Sequence, residues 1–214
     1  MLQEYSDRRT LKRLATRQKI SDAATCLFME RGFDAVTVDQ IADSAQVSRM
    51  TVFNHFSRKE DMIFDLEDIG RQDVLAALEN RDSGVAPVEA LRLFAHQAVA
   101  ERRPYVLFCE EGNDRFVETV QASEALMARA RAIRGELADL LAGELAKVAG
   151  GTLPDPKASL AASLIVSTWA VALVEAHRTF NQSQNAAKAY ESFLAIIDQG
   201  SKGVKAAVQG TRYA

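Results

Sequence analysis

With 214 residues, 48% apolar side chains and a net charge of −3, the chain is long enough for one large domain or a small and a medium one, and apolar enough for a folded core. No run approaches the ~18–20 apolar residues of a membrane span, the first residues are too charged for a secretory leader, and the two distant cysteines, Cys26 and Cys109, match no metal spacing. Isolated thiols fit a reducing cytoplasm. The small net charge hides an asymmetry: residues 1–60 carry ten Lys and Arg against eight Asp and Glu, and the remainder sixteen against twenty-one.

Nearly all of the chain reads as helix, with Ala-, Leu-, Glu- and Arg-rich stretches divided by short Gly, Pro, Asn and Asp breaks into about nine segments. Near the N-terminus Arg8, Arg9, Lys12, Arg13, Arg17 and Lys19 make a basic arm with no acid among them, suited to neutralising phosphates or to a solvated face. The first helix is predicted from about Leu11 to Arg31, with Ile20, Ala24, Leu27 and Phe28 as its apolar stripe and Gly32 as its stop. Thr37-x-x-Gln40 is a capping box that opens a second helix burying Val38, Ile41, Ala42 and Ala45. Ser48 N-caps a third, whose apolar members are Val52, Phe53 and Phe56. Ser57-x-x-Glu60 reads as another capping box, opening a fourth helix that continues through Met62, Ile63, Leu66, Ile69, Val74 and Leu78.

Pro87 and Pro104 suit the first turns of a fifth and a sixth helix, where a missing N–H costs little. A seventh is predicted over Ser123 to Val148. Asp155-Pro156 is an N-cap and N1 pair opening an eighth, which runs to about Asn181, and a ninth covers Ala187 to Val208. No strand-like alternation, repeat or low-complexity linker interrupts this pattern.

Residues Thr37 to Asp61, TVDQIADSAQVSRMTVFNHFSRKED, hold two short apolar-periodic segments with a tight break between them and then a third helix start. That is a helix-turn-helix, the module that lays a recognition helix in the DNA major groove. No GxSxG, HExxH, P-loop or GxGxxG motif points to an enzyme, and no cofactor or metal site is indicated.

These residues resemble the TetR family of transcriptional regulators. The resemblance covers about residues 15–65: an amphipathic first helix ending in ERGF, then TVDQIADSAQVS, then SRMTVFNHFSRKEDM. It departs at Gln46, where the family usually has Gly and where a non-Gly residue must take up φ > 0, and at Phe53, which stands for the usual Tyr. The resemblance implies an all-α fold, with a helix-turn-helix DNA-binding domain in residues 1–60 and a helical effector-binding and dimerisation domain in residues 61–214. It further implies a homodimer on double-stranded DNA and a small-molecule effector.

Arg49 opens the recognition helix, where an arginine can form a bidentate pair with a guanine or meet a phosphate. Met50 and Phe53 offer apolar surface to thymine methyls, although burial of Phe53 in the three-helix core is an equal reading. Thr51, Asn54, His55 and Lys59 fall where the resemblance implies phosphate contacts; His55 also suits a half-buried structural role. Thr37 and Ser48 join these candidates besides serving as caps. Asp39 is explained by the helix dipole.

Two-fold symmetry doubles the contacts of a single helix-turn-helix and calls for a palindromic operator, with the last two helices as the expected interface: the eighth is rich in small residues, among them Ser159, Ala161, Ala162, Ser163, Ser167, Ala170 and Ala172. A sensor pocket is expected among helices five to eight, from Phe94, Tyr105, Phe108, Met127, Trp169, Leu173 and His177, with His96, Cys109 and Phe116 as further candidates. Its apolar lining suggests a hydrophobic or aromatic effector. The expected function is a ligand-responsive repressor; the alternative is an activator or an effector-independent DNA-binding protein.

Overall fold

A computed structural model of the chain describes residues 2–107 and 115–214, with side chains from residue 8 onward. Among the described residues it is all helical: α1 (Leu2–Arg31), α2 (Val38–Ser44), α3 (Arg49–His55), α4 (Glu67–Glu79), α5 (Pro87–Ala100), α6 (Phe116–Gln121), α7 (Glu124–Val148), α8 (Pro156–Ser183) and α9 (Ala186–Ala207), with 3-10 turns at Glu60–Met62 and Pro104–Val106. The chain forms two compact units, one of Met1–Asp65 with Arg115–Arg129, the other of Leu66–Asp114 with Ala130–Ala214.

The first unit closes around Ile20, Ala24, Leu27 and Phe28 of α1, Ile41 and Ala42 of α2, and Val52 and Phe56 of and after α3, with Met62, Ile63 and Leu126 completing the core. The apolar stripe of α1 is the one the periodicity predicts, as are Ile41, Ala42 and Ala45 at α2 and Val52 and Phe56 at α3, whereas Val38 is only partly buried and Phe53 is exposed. Two polar links tie residues 115–129 to it: Ser123 Oγ donates to Asp34 at 3.2 Å, and Arg129 Nε to Asp61 at 2.8 Å.

In the second unit α8 runs beside α9. Ala158, Ala161, Ala162, Ile165 and Val166 of α8 meet Val204 and Val208, and further along Ala172 and Ala176 meet Phe193 and Ile197. The helices come so close that a Cβ on Gly200 would lie 2.2 Å from Thr168 Cγ2. The Asp155 carboxylate accepts from Ala158 N at 2.8 Å, with Pro156 in the first turn, as the Asp-Pro pair predicts.

Four expectations change. First, α1 starts at Leu2, nine residues before the predicted start. Secondly, the fourth helix does not begin at Ser57. A 3-10 turn covers Glu60–Met62 without a side-chain cap, the Ser57 hydroxyl bonds Asp61 instead, and α4 begins only at Glu67. The reason is that Met62, Ile63 and Phe64 are consecutive and all pack on one core, whereas successive residues of an α-helix point about 100° apart. Thirdly, Pro104 opens only a 3-10 turn, in which Val106 is buried and the Tyr105 hydroxyl is taken by Asp73 of α4 at 2.8 Å. Fourthly, one stretch does approach a membrane span in length and apolarity: α8 holds an 18-residue window of mean hydropathy 1.7, of which 33% is buried. Its Ala-rich inner face is core and packs on α9, while Leu160, Val171 and Val174 on the other side are exposed.

Candidate nucleic-acid interface

Two capped helix starts build the site. Thr37 and Gln40 form the reciprocal capping box: Gln40 N donates to Thr37 Oγ1 at 3.3 Å and Thr37 N to Gln40 Oε1 at 2.9 Å. At α3 the Ser48 hydroxyl accepts from Thr51 N at 3.0 Å and bonds the Thr51 hydroxyl at 2.8 Å. Between them Gln46 adopts φ 51°, the left-handed conformation expected where the resemblance has Gly, and Val47 N donates back to Ala42 O at 2.9 Å. This reversal fixes the angle at which α3 leaves α2.

Held in this way, α3 is sharply two-sided. Val52 and the following Phe56 are buried, while Arg49, Met50, Phe53 and Asn54 are exposed. Those four fall at the i, i+1, i+4, i+5 spacing that makes one helix face. Met50 and Phe53 leave 69% and 46% of their surface open. For Phe53 the structure therefore selects the outward of the two sequence readings.

The other candidates have local partners. His55 is half-buried at the last turn of α3, and its imidazole is pushed below the usual 6.5 by burial first and then by Arg13 and Arg17. Lys59 turns inward: Nζ donates to Phe33 O at 2.6 Å and lies 4.0 Å from the centre of the Phe33 ring, and burial lowers its pKa despite the neighbouring Asp34 and Glu60. Its ammonium holds the α1–α2 turn. Thr37 and Ser48 use their hydroxyls in caps, and the Thr51 hydroxyl bonds that of Ser48. Arg58, which the motif reading passed over, is exposed just after α3. Asp39, seen in the sequence only as a dipole partner, accepts from Arg49 Nη1 at 2.7 Å.

The effector candidates divide. Phe94 stacks on Trp169 (centroids 5.6 Å apart, planes at 28°), approaches Tyr105 at 6.4 Å, and Trp169 meets Phe193 edge-on at 5.4 Å. Leu173 packs against this cluster and His177 is buried. Burial and the Asp73 carboxylate both push the Tyr105 phenol upward. Met127 falls in the first unit, as does Phe116, which lies edge-on to Phe64 at 6.1 Å. Phe108 and Cys109 lie outside the described residues.

A shallow recess of about 10 Å³, lined among others by Leu91, Arg92, Thr168 and Trp169, lies beside the aromatic stack. It is smaller than the roughly 300–1,000 Å³ that small-molecule sites occupy. Its polar edge was not legible in the sequence. Arg92 bonds Glu89 at 2.7 Å and Asp198 at 2.9 Å, His96 Nε2 lies 2.8 Å from the same Asp198 oxygen, and Lys205 closes on Glu89. Arg92 first, and then Lys205, holds the Glu89 carboxyl down at about 2. Among the described residues no group of three His, Cys, Asp or Glu side chains is placed to hold a metal.

Residues 20–66 match the bacterial regulatory proteins of the tetR family. The chain is 36% identical over 76 residues to the HTH-type transcriptional regulator TcmR of Streptomyces glaucescens, a match spanning 36% of this chain and 34% of TcmR. It is 34% identical over 91 residues to the HTH-type transcriptional repressor KstR2 of Rhodococcus jostii, spanning 39% and 43% of the two. The matches thus reach over only about a third to two fifths of these relatives' length. In three dimensions it resembles GusR of Salmonella enterica (TM-score 0.54, 19% identity, 92% of this chain and 96% of that one) and SmeT solved with triclosan (TM-score 0.56, 18% identity, 88% and 91%); these likenesses extend the fold to the second unit. By its helix-turn-helix and the match over residues 20–66, the N-terminal part of the chain is similar to the DNA-binding domain of the bacterial regulatory proteins of the tetR family.

Proposed function

We propose that the protein is a transcriptional repressor that binds a palindromic operator as a homodimer and is released by a small-molecule effector. The observation that carries the DNA-binding part is the two-sided α3, on which Val52 and Phe56 anchor the helix and Arg49, Met50, Phe53 and Asn54 stand together in solvent. A guanidinium, an amide and two apolar surfaces on one helix face are the groups that read base edges in a major groove. Repression rather than activation is favoured by the relative KstR2, which is named a repressor.

Dimerisation is supported by the outer face of α8. Leu160, Val171 and Val174 are exposed along it at 40%, 58% and 38%, with Ser163 and Ser167 between them. An apolar face with small residues at its centre suits close approach of a second copy. The effector part rests on the apolar cluster of Phe94, Trp169 and Tyr105, which suits an apolar or aromatic molecule; the recess beside it has to widen to admit one.

Selection of duplexes from a random-sequence pool by the purified protein, beside Arg49→Ala, tests the first part. An inverted repeat enriched by the wild type and lost in the variant supports it, and enrichment of no sequence counts against it. Sedimentation of the wild type and Val171→Arg tests the dimer: a two-chain species reduced to one chain by the substitution is expected, and a monomeric wild type refutes it. The protein has a single tryptophan, Trp169. Its fluorescence should respond to a bound aromatic compound, and the same compound should weaken operator binding.

A further inference from the structure

Arg49 is not a free surface charge. Its Nη1 donates to Asp39 Oδ2 at 2.7 Å, and the guanidinium carbon lies 5.6 Å from the centre of the Phe53 ring, one turn further along α3. Asp39 sits in the first turn of α2, ten residues away in sequence. The two side chains meet because both helix starts are fixed, one by the Thr37–Gln40 box and the other by the Ser48 cap, and because the Gln46 reversal sets the angle between the helices. Both side chains are nevertheless 59% exposed, so the pair lies on the open surface, where an isolated ion pair adds little to stability. Its placement on the exposed face of α3 has another consequence.

Beside DNA, a carboxylate is repelled by phosphates. An arginine meant only for phosphate would bind better without it, because a paired arginine brings no net charge to the polyanion. What the pair keeps is geometry. With one N–H of Nη1 held by Asp39 and the guanidinium plane steadied by Phe53, the remaining N–H groups form a fork of fixed direction, the arrangement needed for bidentate bonds to guanine O6 and N7. Resting on the DNA-reading role of α3, we propose that Asp39 is a positioning residue that fixes Arg49 for a guanine edge and withholds it from phosphates, so that it sets base specificity while lowering affinity for random DNA.

The test uses full-length wild type, Asp39→Ala, Asp39→Asn, Arg49→Ala and the double variant Asp39→Ala/Arg49→Ala. The probes are the duplex that the wild type selects from a random pool, copies of it with each guanine replaced in turn, and an unrelated duplex, each over a range of salt. For Asp39→Ala the expected result is tighter binding to the unrelated duplex, a steeper salt dependence by about one counterion, and a loss of about tenfold in preference at the one guanine that Arg49→Ala also ceases to distinguish. In the Arg49→Ala background, Asp39→Ala should change that preference no further. Asp39→Asn retains the size and an accepting oxygen; it should fall between the two and stands in if Asp39→Ala fails to fold by circular dichroism. Unchanged base preference in a folded Asp39 variant overturns the assignment while leaving DNA reading by α3 intact. So does an equal loss in the presence and absence of Arg49. A wild type that selects no sequence overturns both.

Discussion

Arg17 of α1 donates through Nη1 to the backbone carbonyl of His55 at 2.6 Å, and its guanidinium lies 4.1 Å from the centre of the Phe56 ring. One side chain thereby satisfies an orphan carbonyl at the end of α3 and covers the aromatic that anchors it. Arg17→Ala removes both contacts. It should lower unfolding stability by about 1–2 kcal/mol, read as a lower denaturant midpoint. Operator affinity should fall by more than loss of one phosphate contact explains, because α3 loses its support.

The same arrangement makes His55 sensitive to pH. Its folded pKa lies below 6.5, through burial and the positive charges of Arg13 and Arg17, so below about pH 6.5 the unfolded chain binds more protons than the folded one, and stability falls as the pH drops through this range. A phosphate placed against the ring would reverse the local field and raise the pKa. Operator affinity at constant salt should therefore rise as the pH falls from 7.5 to 6, and His55→Gln should flatten that slope. An equal slope in the variant would remove His55 from the phosphate contacts.

Gln46 holds φ 51° in the turn between α2 and α3. A left-handed conformation costs a residue with a Cβ roughly 1–2 kcal/mol that glycine does not incur. The Gln46 side chain returns only an exposed bond from Lys19 at 3.3 Å. Gln46→Gly should therefore stabilise the protein slightly, by up to about 1 kcal/mol after the extra entropy of the unfolded glycine is counted, seen as a rise in thermal midpoint.

Gly200→Ala should act in the opposite direction. The new Cβ would overlap Thr168 Cγ2, Oγ1 and Cβ, all under 3.0 Å, and Thr168 is further tied to its own helix through Leu164 O at 2.8 Å. Relief requires α8 and α9 to separate, at about 1–3 kcal/mol. Thr168→Ser combined with Gly200→Ala should recover part of the loss, since one of the crowding atoms is gone.

Glu89 is held at about pH 2 by Arg92 and Lys205, against an ordinary value of 4.5. A depressed carboxyl contributes stability that is present above its unfolded pKa and lost as the pH falls through the folded one. Glu89→Gln should lower the melting temperature at pH 7, and the gap from wild type should narrow as the pH is taken below about 4.5 toward 2.

The sequence by itself determined the all-helical class, the helix-turn-helix and most helix boundaries in the second unit, because each rests on local rules. The Thr37–Gln40 box, the Ser48 cap, the Asp155-Pro156 start and the left-handed Gln46 all follow from which neighbours can satisfy backbone groups or tolerate a given φ. Tertiary structure decided the rest, since it depends on residues distant in sequence. Met62, Ile63 and Phe64 broke the predicted fourth helix because one core needed all three. Residues 115–129 joined the first unit through Asp34 and Asp61, which no periodicity announces. Lys59 was turned to the Phe33 carbonyl and ring, so that its motif position no longer describes its partners. Arg49 and Asp39 each have a plain local explanation. Only the angle between two capped helices brings guanidinium and carboxylate to 2.7 Å and makes them one device.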